Sequence, residues 1–109
     1  MAKTISITYK GTEYTLEFTR KSVETMERQG FVIGDIGDKP ISTLPALFAG
    51  AFLAHHRSVE NGTVEKIFAG IPDKTKFIQK LAEMYNEPLE TLLDEPEETE
   101  GNLTWGANW

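Results

Sequence analysis

The residues of this chain able to act chemically are few, and none is a cysteine, which excludes disulfides, thiolate zinc sites and cysteine nucleophiles. The two histidines are adjacent, His55-His56, on a stretch that reads as helix. Neighbouring helical side chains point about 100° apart, so one ion cannot easily use both. His55 continues an apolar stripe and is expected inside; His56 is expected at solvent near the helix end, where a cation suits the dipole. The Gly-Asp pairs of "GDIGDKP" hint at a cation, but they lack the ligand spacing of a calcium loop and read as turns. The same segment lacks the spacing and the lysine–serine pair of a phosphate loop. No nucleophile elbow accompanies any serine. Glu13 and Glu17 fall on a hairpin, and Glu24 and Glu27 on a helix surface, ordinary solvated positions. The expectation is a protein that is not an enzyme, with no catalytic residue, no metal site and no cofactor.

What remains is the chemistry of contact. In "STLPALFAGAFLAHH", and indeed everywhere between Lys39 and Arg57, there is no charged side chain. The spacing predicts a helix over 43–56, capped near Ser42 or Thr43, with Pro45 in its first turn. Leu44, Leu47, Phe48, Ala51, Phe52 and His55 follow the i, i+3, i+4, i+7 rule of a buried stripe. The opposite side is not polar: it offers Ala46, Ala49, Gly50, Leu53 and Ala54, with Ala46, Gly50 and Ala54 a row of small residues four apart. Such a helix is either the centre of the core or half exposed to a partner. Under the second alternative Leu47, Phe48, Phe52 and Leu53 are the candidate anchors. A second contact feature closes the chain. "DEPEETE" holds five of the 17 acids, and both tryptophans, Trp105 and Trp109, follow it in "NLTWGANW". Tryptophan is enriched at binding hot spots, so these two are candidate anchors as well, at the end of an acidic segment.

The rest of the chain supplies the scaffold. At 109 residues there is room for one domain. It is expected over 1–93 as an α+β fold, mostly α: a β-hairpin over 4–18 packed on a small bundle of four to five short helices at about 20–29, 43–56, 64–69, 74–85 and 89–93. A flexible acidic tail is expected over 94–109. With Gly11-Thr12 as a two-residue turn, Tyr9 pairs with Tyr14, Ile7 with Leu16 and Ile5 with Phe18, and every apolar residue shares a face. Thr19 or Ser22 caps the first helix, and Gly30-Phe31 closes it in a Schellman motif over Met26. "VIGDIGDKP" reads as a loop, and both Gly70-Ile71-Pro72 and Asn86-Glu87-Pro88 as breaks. The longest apolar run, Leu44 to Ala54, falls short of the roughly 18 residues a membrane span needs, and the N-terminus reads as a strand rather than a signal peptide. A cytosolic protein is expected. Without the five tail acids, 12 acids face 11 bases, and no basic face for nucleic acid emerges.

"KLAEMYNEPLETLL" resembles the closing helices of helix-turn-helix repressors, but no basic recognition helix precedes it. The wider order of elements carries more. A hairpin running into "LEFTRKSVETMERQGF", then "LPALFAGAFLAHHR", short helices and an acidic tail, resembles the tail assembly chaperones of long-tailed, siphovirus-type phages and prophages of Gram-positive bacteria. The resemblance covers nearly the whole chain. It implies a protein that binds the tape measure protein, keeps it soluble and promotes polymerisation of the major tail tube protein around it, with self-association. It also implies residence in the host bacterial cytoplasm and absence from the mature virion, with no membrane and no nucleic acid among its partners. A structural connector or completion protein of the tail is the alternative, and a small DNA-binding regulator a more distant one.

Overall fold

A computed structural model of the chain describes residues 3–92 and 106–109. The fold is α+β, a two-stranded antiparallel hairpin followed by four helices. Strands β1 (Ile5–Tyr9) and β2 (Thr12–Leu16) pair Ile5 with Leu16, Ile7 with Tyr14 and Tyr9 with Thr12. The register is two residues away from the expected one. The turn is Lys10-Gly11, with φ of 50° and 82°, so it is type I′, whose twist matches that of the strands. Because side chains alternate with a period of two, a slip of two leaves Ile5, Ile7, Tyr9, Tyr14 and Leu16 on the same face. Phe18, expected opposite Ile5, lies beyond the strand and is buried in the core.

Helix α1 (Arg20–Arg28) begins in a reciprocal capping box. The Ser22 N–H donates to Thr19 Oγ1 at 3.0 Å, and the Thr19 N–H donates to Ser22 Oγ at 2.9 Å. It ends as expected: the N–H groups of Gly30 and Phe31 donate to the Glu27 and Met26 carbonyls, both at 3.0 Å, with Gly30 at φ 94°. The segment expected as a loop holds a short 3-10 helix, Ile33–Ile36. Helix α2 (Pro40–Gly50) starts three residues earlier than expected, with Pro40 as its first residue. Pro45 is therefore inside it and cannot supply the bond to the carbonyl of Ile41, on an exposed turn. Beyond Gly50 the chain tightens: Phe52 and Leu53 donate to the carbonyls three residues back, Ala49 and Gly50, each at 3.1 Å.

Helix α3 (Asn61–Gly70) also starts three residues before the expected position. The largest departure is α4 (Lys74–Leu92), one continuous helix where two were expected. Its buried residues Leu81, Met84, Tyr85 and Pro88 keep the i, i+3, i+4, i+7 spacing straight through the proline. Tertiary bonds hold that half in place. The Lys3 N–H donates to both Glu87 carboxylate oxygens at 3.0 and 3.1 Å, and Arg20 donates to the Thr91 carbonyl at 2.7 Å, a cation at the negative end of the helix. The core gathers Leu16 and Phe18 with Val23 and Met26 of α1, Leu47 and Phe48 of α2, Ala51 and Phe52, Val64 and Ile67 of α3, and the stripe of α4. Phe48 is its aromatic centre, with ring centroids 5.2 Å from Phe52, 5.0 Å from Phe68 and 5.7 Å from Phe77. Among the described residues no helix is long and apolar enough to cross a membrane. The expected acidic tail over 94–109 lies outside the described residues except for its last four.

Candidate functional site

The histidine pair has a structural role, and its two members exchange the places expected for them. In the register of the hairpin, the N–H groups of Thr15 and Glu17 face away from β1. The tightened turn after α2 meets both. Glu17 donates its N–H to the Ala51 carbonyl at 3.1 Å, and Thr15 donates to Nε2 of His56 at 2.9 Å. As Nε2 accepts, the proton of the neutral ring is on Nδ1. His56 is half-buried, with its ring centroid 5.2 Å from that of Tyr14, edge to face. His55 is the exposed one, and its Nε2 donates to Glu17 Oε1 at 2.7 Å. The outer edge of β2, an open template for unwanted pairing, is thus closed by the Ala51 carbonyl and His56. Among the described residues no group of three metal-binding side chains comes together.

The candidate anchors divide. Leu47 and Phe48 of α2 are fully buried and Phe52, in the turn just beyond it, is 3% exposed, so these three face the core and do not present a surface to a partner. This corrects the expectation for them, and the reason is that hairpin, α3 and α4 all converge on this stripe. Leu53 is half-buried and remains accessible. The row of small residues is also divided. Ala46 is exposed, but Gly50 is buried where an added methyl would overlap the thioether of Met26. Gly50 therefore serves the approach of α1 to α2 rather than of a partner. Trp109 is fully exposed, and Trp105 lies outside the described residues.

What the outer face of α2 does form is the floor of two adjoining hollows. One, about 530 Å³, lies between α2, the end of α1 with the 3-10 helix, and the start of α3; Ala46, Ala49 and Leu53 floor it, with Phe31 and Val59 in its walls. The other, about 430 Å³, shares Ala46 and Ala49 and continues toward Phe68 and Ala69 of α3. Together they make a groove of the size in which ligands and partner side chains bury. The rim of the larger hollow carries Lys39 and Arg57 with one carboxylate, Asp35. Among the described residues neither cation is ion-paired. Arg57 instead spends its Nε on the Leu53 carbonyl at 3.2 Å. Sequence reasoning did not single out these two cations as functional, although the signal was present: they are the charges that bracket the uncharged stretch.

One deeply buried titratable group borders this region. Tyr85, 3% exposed, stacks edge to face on Phe18 at 5.2 Å and against Phe31 at 5.7 Å. Burial, and secondarily the Glu27 carboxylate, raises its phenol above the usual value of 10. It remains neutral and acts as a packing residue.

No curated protein and no solved structure matches the chain. A family model does match, over residues 1–109, and the chain belongs to that family, described as a domain of unknown function (DUF5055).

Proposed function

We propose that this protein is a tail assembly chaperone of a long-tailed phage or prophage of Gram-positive bacteria. It binds the tape measure protein, keeps that long helical client soluble, and promotes polymerisation of the major tail tube protein around it in the host cytoplasm. It leaves before the virion is mature. Support comes from the resemblance carried by "LEFTRKSVETMERQGF" and from the order hairpin, helices, acidic segment. The single observation that carries it on the molecule is the uncharged outer face of α2, floored by Ala46, Ala49 and Leu53 and flanked by two hollows. An amphipathic client helix can lay its apolar side into such a groove. The floor offers few apolar side chains, Ala46, Ala49 and Leu53, which suits a holdase: association costs several kcal/mol, so a few modest contacts leave binding reversible, while many copies along one client restore avidity.

Co-expression with the tape measure protein encoded beside it tests the reading. The client is expected in the soluble fraction, co-purifying with this chain, and Ala46→Glu is expected to release it. A client that stays insoluble while this chain elutes alone overturns the reading. The burial of Leu47, Phe48 and Phe52 within the chain's own core favours a second reading, a self-contained connector or completion protein of the tail. That protein would be found in purified virions, where a chaperone would not. A DNA-binding regulator has less support, with 17 acids against 11 bases.

A further inference from the structure

We propose that the larger groove is the docking site for the tryptophan-bearing segment, residues 94–109, of a second copy of this chain. The groove and the segment are chemical complements. The groove sets the apolar side chains Ala46, Ala49, Leu53 and Phe31 within a lining that is about half polar, and it carries two rim cations, Lys39 and Arg57, against the single carboxylate of Asp35. The segment places Asp94, Glu95, Glu97, Glu98 and Glu100 ahead of Trp105 and Trp109. At about 530 Å³ the hollow has room for an indole, and Gln29 and Ser42 in its wall offer acceptors for the indole N–H.

The occupant is assigned to another copy because Trp109 is fully exposed in its own chain, so that indole is not seated in its own groove. Reciprocal insertion, each segment in the other copy's groove, closes a two-fold dimer. The acidic run would steer the encounter, and the indoles would hold it. This inference does not depend on the identity of any client.

Both tryptophans of the chain lie in the segment, so indole fluorescence of the full chain reports docking without a label. On raising the protein concentration, the emission maximum is expected to shift to the blue in step with a monomer-to-dimer transition in sedimentation velocity. Added salt should move both transitions to higher concentration. Lys39→Glu with Arg57→Glu, exposed positions whose far-UV circular dichroism should be unchanged, is expected to weaken dimerisation by about tenfold or more. Trp105→Ala with Trp109→Ala should do the same from the other side. Each double variant alone then sediments as a monomer, and a mixture of the two restores one segment–groove pair and gives a heterodimer. Emission that does not change with concentration, whether red because the indoles stay free or blue because they seat in their own groove, overturns the proposal. Dimers formed by either double variant alone at wild-type concentration overturn it too.

Discussion

The assignment of α2's two faces, one to the core and one to the groove, makes opposite demands of two residues two positions apart. Phe48 is fully buried, with Phe52, Phe68 and Phe77 around its ring at 5.0 to 5.7 Å. Truncating a buried phenylalanine to alanine costs about 3 to 5 kcal/mol through lost transfer free energy and the cavity left behind. The three ring pairs are part of what is removed, and with aromatic walls that cannot easily collapse the upper half of that range is expected. A domain of this size has a total stability of about 5 to 13 kcal/mol, so Phe48→Ala removes a third or more of it. Ala46, on the outer face, is exposed, and Ala46→Glu should change stability by less than about 0.5 kcal/mol. Urea unfolding followed by circular dichroism measures both. Phe48→Leu, which keeps most of the volume, should fall between them and guards against a variant too unstable to measure. A loss below about 1 kcal/mol for Phe48→Ala, or a larger loss for Ala46→Glu than for Phe48→Ala, would refute the division of the helix.

Three more outcomes follow from local geometry. Lys10 holds φ 50° at the first central position of a type I′ turn, where asparagine is far more at ease, so Lys10→Asn should raise stability by about 0.5 kcal/mol in the same urea assay. His56→Ala leaves the Thr15 N–H without its acceptor and should cost about 1 to 3 kcal/mol; His56→Gln, which can place an oxygen near the old Nε2, should recover part of it, and equal losses for the two would discount the bond. Tyr85 is neutral in both folded and unfolded chains below its usual value of 10, and its folded value is raised. The unfolded chain therefore ionises first as pH rises past 10, and stability falls from there toward the folded value. Comparing Tyr85→Phe with wild type in urea at about pH 8 and about pH 11 should show the variant losing less on the alkaline side.

Where the sequence was legible, local rules sufficed. The capping residues Thr19 and Ser22, the Gly30-Phe31 ending and the single apolar face of the hairpin each depend on a few consecutive residues, and all are found in place. The errors fall where distant residues decide. Asn86-Glu87-Pro88 carries a local breaking signal, yet Glu87 is held by Lys3 and the last turn by Arg20, residues more than 70 positions away in sequence. The periodic signal Leu81, Met84, Tyr85, Pro88 ran through the proline and outweighs it. The hairpin slid by two because alternation constrains the face and is blind to an even shift. The histidines exchanged roles because the helix ends at Gly50, so the continuation of its stripe to His55 does not apply. Of the candidate anchors, hydrophobicity named residues on both sides of α2 without telling which side would be covered.

The absence of charge between Lys39 and Arg57 can now be read in two parts. α2 contacts the 3-10 helix, α1, α3 and α4, and the turn after it clasps the edge of β2. A helix so placed needs apolar residues over most of its circumference, which accounts for Leu47, Phe48 and Phe52 and, through Met26, for Gly50. It does not account for Ala46, which is exposed and where a lysine or glutamate would cost the fold nothing. Neither does it account for Leu53, half-buried at the floor of a hollow whose rim cations have no ion-pair partner among the described residues. Core formation alone would permit charges on that strip. The strip is thus the part of the uncharged segment that folding does not require, and it is there that the proposed contact with another chain is located.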